Sequence, residues 1–232
     1  MTSWDKELPS GSREIPAASL GRLTIYLRAL NGLGPDAASR VSSEELATAA
    51  GENPAMLRKD LSYLGSYGTR GVGYDVGQLT KRISDALGLN HDLRVVIVGA
   101  GNLGRALAGY SGFVSRGFEM VALFDVDPLV IDREVGWLRV SPVDQLEQVL
   151  ESKRANMAIL SVPPSAAQEL CDRLVAAGIT SILNFSPTIL QVPQQVQVRK
   201  VDLATELQIL AYHAQRVRDP EVSSESRTPR TG

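Results

Sequence analysis

The sequence predicts an α/β chain with two unlike halves: a small winged helix-turn-helix unit, then a Rossmann unit built on a parallel sheet. Three observations carry that prediction. Up to about residue 89, apolar residues recur at three- and four-residue spacing between helix caps. From Leu93, short apolar runs alternate with helical stretches, the pattern of parallel strands joined by crossover helices. At the first crossover stands a G-x-G-x-x-G run, Gly99 to Gly104.

In the helical half, Leu20, Leu23, Leu27 and Leu30 define one face of a first helix, which Asn31 and Gly32 end. Ser42 and Glu45 have capping-box spacing and open a short helix that Gly51 stops. Asn53 as cap and Pro54 in the first turn start a helix over 53–66, with Leu57, Leu61 and Leu64 inward. Five glycines from Gly65 to Gly77 mark a tight exposed hairpin or loop. An amphipathic helix over 76–87 ends at Gly88.

The 53–66 helix presents Arg58, Lys59, Ser62 and Tyr63 outward. An arginine forks onto a guanine edge and a lysine meets a phosphate, so this is the candidate reading helix. Arg70, among glycines, would suit a minor groove. The whole chain carries 24 basic against 26 acidic residues, a balance that by itself argues against a nucleic-acid partner. Locally the sign reverses: Arg58, Lys59, Arg70, Lys81 and Arg82 against Asp60 and Asp75 leave +3 over 53–82. The competing reading is a helical interaction domain with solvated basic residues.

In the second half, strands are expected over 94–98, 120–124, 157–160 and 179–183, with a fifth at 196–198. Helices fall near 102–115, 143–150 and 165–177. The run Gly99, Ala100, Gly101, Asn102, Leu103, Gly104 follows the first strand directly and opens a helix. Gly99 permits the tight turn, Gly101 lets backbone approach a pyrophosphate, and Gly104 lets helix pack on strand. The helix N-terminus attracts the anion. Asp125 lies 21 positions after Gly104, at the end of the second strand, where a carboxylate accepts hydrogen bonds from adenosine ribose hydroxyls. It would repel a 2′-phosphate, which favours NAD(H) over NADP(H). The turns Ser161-Val162-Pro163 and Asn184-Phe185-Ser186 follow later strands. Either they line the nicotinamide half of the crevice or their neighbouring prolines simply end strands.

Other residues exclude other chemistry. Cys171 is the sole cysteine and the histidines are His91 and His213, so no disulfide framework and no structural zinc site is expected. No apolar run reaches the roughly 20 residues that span a bilayer, and the N-terminus lacks the apolar core of a signal peptide. A cytoplasmic protein, with no membrane and no metal, is the expectation. Residues 1–12 and 219–232 are polar and read as disordered. A dehydrogenase needs a group to move the substrate proton, yet His91 precedes the first strand and His213 lies in the last helix. Lys153 and Lys200 are not at carboxyl ends of strands, and Cys171 reads as an inert core thiol. The chain has the means to bind a dinucleotide and no evident means to use one.

The strings Val41-Ser42-Ser43-Glu44-Glu45-Leu46, Arg58-Lys59-Asp60-Leu61-Ser62-Tyr63 and Gly68-Thr69-Arg70-Gly71-Val72-Gly73-Tyr74 resemble the Rex family of redox-sensing transcriptional repressors. So do Gly99 to Leu107, Phe124-Asp125-Val126-Asp127-Pro128 and Val201-Asp202-Leu203. The resemblance spans about residues 15–215. It implies a homodimer that binds palindromic operator DNA of respiratory and fermentative genes, releases it when NADH binds, and holds NAD+ without release. It implies domains at 13–89 (winged helix) and 90–201 (Rossmann), with a C-terminal helix over 202–218 exchanged between subunits. That helix carries a stripe of Leu203, Leu207, Leu210 and Ala214 that needs a partner. The resemblance adds Ser43 to the DNA contacts and Val126 to the cofactor contacts. It also implies a switch set of Arg28, Tyr110 and a partner-subunit aspartate, matched by Asp202. Read without it, these three are a surface arginine, a half-buried tyrosine and a helix cap. Rival classes are an NAD-dependent oxidoreductase with an appended helical module and a dinucleotide-binding subunit of a larger complex.

Overall fold

The computed structural model describes residues 14–33, 39–65 and 73–218. Arg70, most of the expected 65–77 loop and both polar ends lie outside these residues. The chain divides into two compact units between His91 and Asp92.

In the first unit α1 (Ala17–Asn31), α2 (Ser43–Ala50), α3 (Pro54–Ser62) and α4 (Val76–Ala86) enclose one core. The expected caps are in place. The Ser42 hydroxyl accepts from the Glu45 N–H while the Glu45 carboxylate accepts from the Ser42 N–H, and Asn53 accepts from the Ala55 N–H. Gly51 ends α2 at φ +69°, a left-handed conformation suited to glycine. Two expectations are corrected and one feature is new. First, α3 stops at Ser62 because its last turn tightens: Tyr63, Leu64 and Gly65 each donate to a carbonyl three residues back. Second, Leu20 sits on the rim at 36% exposure, and Tyr26, fully buried, fills the core beside Leu23 and Leu27. Third, β1 (Arg40–Val41) pairs antiparallel with β2 (Tyr74–Asp75). Two-residue strands carry no alternation to detect, so this ribbon was not expected. Gly73 permits it, since a β-carbon there would strike the Val41 carbonyl.

The second unit holds a seven-stranded sheet in the order β5-β6-β4-β3-β7-β8-β9. Its strands are β3 (Leu93–Val98), β4 (Phe118–Asp125), β5 (Glu134–Val135), β6 (Leu138–Pro142), β7 (Met157–Leu160), β8 (Ser181–Asn184) and β9 (Gln197–Lys200). All neighbours run parallel except β5 and β6. The helices are α5 (Asn102–Ala108), α6 (Ser111–Val114), α7 (Leu146–Lys153), α8 (Pro164–Ala176) and α9 (Leu203–Arg218). Central β3 is buried on both faces. Val96 and Val98 pack with Leu146, Leu150, Leu170 and Leu174, while Val95 and Ile97 pack with Ala108, Met120 and Leu123. That two-sided burial explains its unbroken apolar run. Cys171 is fully buried in the first of these cores, and burial pushes its thiol up, away from reactivity.

Here too the structure differs from expectation. The helix expected over 102–115 breaks at Gly109, which caps α5, so Tyr110 is not inside a helix but immediately precedes α6. The β5–β6 hairpin, turned by Gly136 at φ +62°, was missed because its strands are short and carry Glu134 and Arg139 rather than an apolar run. The strand expected from Ile179 begins at Ser181, with Ile179 buried just before it, and the strand expected over 196–198 runs Gln197–Lys200, so Lys200, expected away from a strand's carboxyl end, closes β9 in register with Asn184. Along α9 Leu203, Leu207 and Leu210 are 59%, 67% and 62% exposed.

Candidate functional site

In chain order β3, β4 and β6 build one side of the sheet, and β7 then returns to the other side of β3. In an open α/β sheet this reversal leaves a crevice at the carboxyl ends of the strands. Val98 is in register with Phe124 on one side and Leu160 on the other, and Leu160 with Asn184. The glycine run, Asp125, Ser161 and the Asn184 turn therefore emerge side by side from four adjacent strands.

The three glycines of the run play three different parts. Gly99 has φ +101°, and a β-carbon on it would strike the Ser161 carbonyl. A β-carbon on Gly104 would land on the Gly99 carbonyl, so α5 lies against the turn as closely as backbone allows. A β-carbon on Gly101 would meet nothing within 4 Å. That side of the loop is open, and Gly101, Asn102 and Leu103 are all exposed. Open space over a glycine that caps a helix N-terminus fits the backbone approach of a pyrophosphate, so the residues present suit a dinucleotide.

Asp125 does more than sequence spacing indicated. One carboxylate oxygen accepts from the Ala100 N–H at 2.6 Å, and the other accepts from the Val126 and Asp127 N–H groups at 2.7 and 2.9 Å. The residue expected to meet ribose thus also ties the glycine loop to the end of β4. Across the loop, the Ser161 hydroxyl donates to the Val98 and Gly99 carbonyls. Asn184 and Ser186 are buried, with the Asn184 amide bridging the Thr188 carbonyl and the Ser186 N–H. Those two side chains hold the turn, while Val162, Pro163 and Phe185 remain partly or fully exposed beside it. Exposed Arg105, bonded to Asn102 at 2.8 Å, is a cation one turn from the loop that sequence reading passed over.

In the first unit the Arg58 guanidinium donates to the Ser43 hydroxyl at 2.9 Å and to the Glu44 carboxylate at 3.0 Å. The structure thereby joins two expected DNA contacts and adds Glu44. This carboxyl lies below its ordinary value, first through a backbone hydrogen bond at the start of α2 and then through Ser43 and Arg58. Lys59 and Ser62 are exposed and Tyr63 is half-buried.

Behind that surface Asp60 is completely buried. Arg22 grips it with two bonds of 2.6 and 2.8 Å, and the Tyr26 hydroxyl donates at 2.9 Å. Burial raises the Asp60 carboxyl, but hydrogen bonds from Arg22, Ser19 and Tyr26 outweigh it and hold it below the ordinary range. Burial first, then Asp60, pushes the Tyr26 phenol up. An acidic residue inside the Leu57–Leu61 stripe was the available signal for this cluster.

Of the three residues expected to form a switch, Arg28 is exposed on α1. It lines a hollow of about 310 Å³ with Ile25, Ala29, Gly32, Leu33 and Ala49. Tyr110 is 50% exposed. Asp202 caps α9 by accepting from the Ala204 and Thr205 N–H groups, and the Thr205 N–H is the main cause of its lowered carboxyl. Among the described residues no cluster of histidine, cysteine, aspartate or glutamate has a metal-holding arrangement, and no helix is long and apolar enough to cross a membrane.

A family model described as a putative DNA-binding protein N-terminus matches residues 14–62, and one described as a CoA binding domain matches 90–188. Coenzyme A and NAD share an adenosine diphosphate end. A protein of Streptomyces avermitilis named redox-sensing transcriptional repressor Rex is 56% identical over 218 residues, covering 94% of this chain and 86% of that one. Its namesake in Desulfitobacterium hafniense is 44% identical, covering 86% and 95%. A solved structure described as RSP with beta-NAD+ and operator DNA matches with TM-score 0.83 at 32% identity, covering 94% of this chain and 100% of that one. RSP with beta-NADH matches with TM-score 0.78 at 32% identity, covering 93% and 100%.

Proposed function

The chain belongs to the Rex family of redox-sensing transcriptional repressors, and from that premise we propose how its residues carry out repression and release. It is a DNA-binding repressor that senses NADH against NAD+, and it is not an enzyme. The observation that carries the cofactor reading is the glycine cradle: Gly101 open to solvent, with Asp125 bonded to the loop beside it. We assign the dinucleotide to Gly99, Ala100, Gly101, Asn102, Leu103 and Gly104 for the pyrophosphate, and to Asp125 with Val126 for the adenosine ribose. Ser161, Val162, Pro163, Asn184, Phe185 and Ser186 border the nicotinamide end. A bound NADH supplies occupancy of this crevice and transfers no hydride.

We assign the operator to residues 13–89, read by Arg58 with Lys59, Ser43, Ser62, Tyr63 and Arg70. The DNA partner is a palindrome because the protein acts as a homodimer in the cytoplasm, with 202–218 exchanged between subunits. The exposed leucines of α9 support that pairing. Residues 90–201 bind the cofactor, and Arg28, Tyr110 and the partner subunit's Asp202 exchange contacts on release. Physically, NADH must bind the DNA-incompetent dimer more tightly than the competent one, since equal affinity shifts nothing. Operator DNA must then weaken NADH binding by the same factor.

A mobility shift on a palindromic duplex at fixed salt tests this directly. NADH is expected to release the duplex and NAD+ to leave it bound; undiminished operator binding at saturating NADH would end the proposal. Two substitutions separate the sites. Asp125→Ala removes the ribose acceptor and the Ala100 tether together, so NADH binding should weaken on the order of 10- to 100-fold, or about 1.4–2.7 kcal/mol. Operator binding without ligand should persist, and equal loss of both would mean misfolding. Arg58→Ala should lose about 1–3 kcal/mol of discrimination between operator and a base-changed duplex while NADH still binds. Retained selectivity would remove Arg58 from the readout.

A further inference from the structure

Gly112, in the middle of α6, has no backbone reason to be glycine. Its φ lies outside the left-handed region, and glycine is the poorest helix former after proline. What it provides is room. The Tyr110 ring folds back across it, so that a β-carbon on Gly112 would collide with Cε1 and Cζ of that ring and stand 2.6 Å from its hydroxyl. Phe113 braces the ring edge-on, with centroids 5.1 Å apart at 85°. The Gly112 carbonyl accepts from Arg116 at 2.6 Å and from Ser115 at 3.3 Å, which steadies the turn beneath.

We propose that Gly112 is a positioning residue that seats the Tyr110 ring, and that this seat sets how readily Tyr110 takes part in operator release. The second clause rests on the switch role assigned to Tyr110 above. A ring that is half exposed and held by one face and one edge has a second station available in solvent or against another element. A methyl group at 112 closes the first station and leaves the second open. It does so without threatening the fold, because the atoms in its way are the far end of a rotatable side chain and alanine is the better helix former.

The test uses Gly112→Ala in the full-length chain with two readouts. Nitration of Tyr110 by tetranitromethane, followed by peptide mass spectrometry, reports the seat. It should run several-fold faster in the variant, and an unchanged rate means that no seat exists. The NADH concentration that half-releases a palindromic duplex reports the consequence. It should move by at least about fivefold, the low end of ordinary allosteric coupling, and Gly112→Ala should add no shift in a Tyr110→Ala background. Faster nitration with unchanged release overturns the link to release. A shift that persists in the Tyr110→Ala background overturns the route through Tyr110. If Tyr110→Ala alone leaves release untouched, the switch assignment falls, and the nitration rate still decides whether the seat exists.

Discussion

Gly101→Val is expected to give a repressor that holds its operator and no longer hears NADH. The side chain would enter the one open face of the glycine loop, where a β-carbon meets nothing within 4 Å, and would occupy the space a pyrophosphate needs. NADH affinity should fall on the order of 100-fold or more, about 2.7 kcal/mol. The fold should tolerate the change: φ and ψ of −64° and −172° are accessible to any residue, and losing a glycine cap costs about 1 kcal/mol or less. Gly104→Ala is the instructive contrast. Its methyl is smaller, yet its β-carbon would land on the Gly99 carbonyl, so α5 must lift from the turn and the second unit should lose stability and NADH binding together. Calorimetric titration with NADH and thermal melts of both variants decide the matter. Wild-type NADH affinity in Gly101→Val would show that the loop does not cradle the ligand.

The parts legible in the sequence were those fixed by neighbours along the chain. The capping box at Ser42, the Asn53-Pro54 start and the left-handed Gly51 are local physics, and the structure has them. The G-x-G-x-x-G turn and the β3 run likewise depend on a few consecutive residues. The features that local sequence does not carry depend on partners far away. The β1–β2 ribbon joins residues more than 30 positions apart through two residues on each side, too few for any period. The break at Gly109 replaced one expected helix by two because the glycine there caps α5 despite the helical spacing around it. Within the site, the position of Asp125 was readable but its bond to the Ala100 N–H was not, since spacing does not show which backbone group a carboxylate will meet. Ser43, Arg58 and Glu44 form one polar cluster because α2 packs on α3, a tertiary fact.

Asp60→Ala should destabilise the first unit by less than the about 3–5 kcal/mol lost when a fully buried ion pair is broken, because the Arg22 left behind keeps part of its surface in water. The carboxylate has no exposed surface, while the Arg22 side chain retains 22%, so the variant strands a guanidinium and the Tyr26 hydroxyl without their acceptor. Tyr26→Phe removes one neutral donor and should lower stability by only about 0.5–1.5 kcal/mol. Arg22→Met combined with Asp60→Leu should be milder than Asp60→Ala alone, because it leaves no orphaned charge. The pH dependence has a defined sign. The folded carboxyl lies below its unfolded value, so its contribution is complete above about pH 4 and is lost as pH falls through the lower folded value. Asp60→Ala should therefore flatten the acid limb of unfolding. Under the proposed assignment of Arg58 and Lys59 to the operator, this stability is linked to recognition: both directly precede Asp60 on α3, and Arg22 and Tyr26 stand on α1, so the ion pair fixes α3 against the helix behind it. In Asp60→Asn the amide still accepts from Tyr26, but no charge opposes Arg22. Operator affinity should then drop by more than affinity for an unrelated duplex, measured where circular dichroism shows the fold intact. Equal losses on both duplexes would limit Asp60 to stability alone.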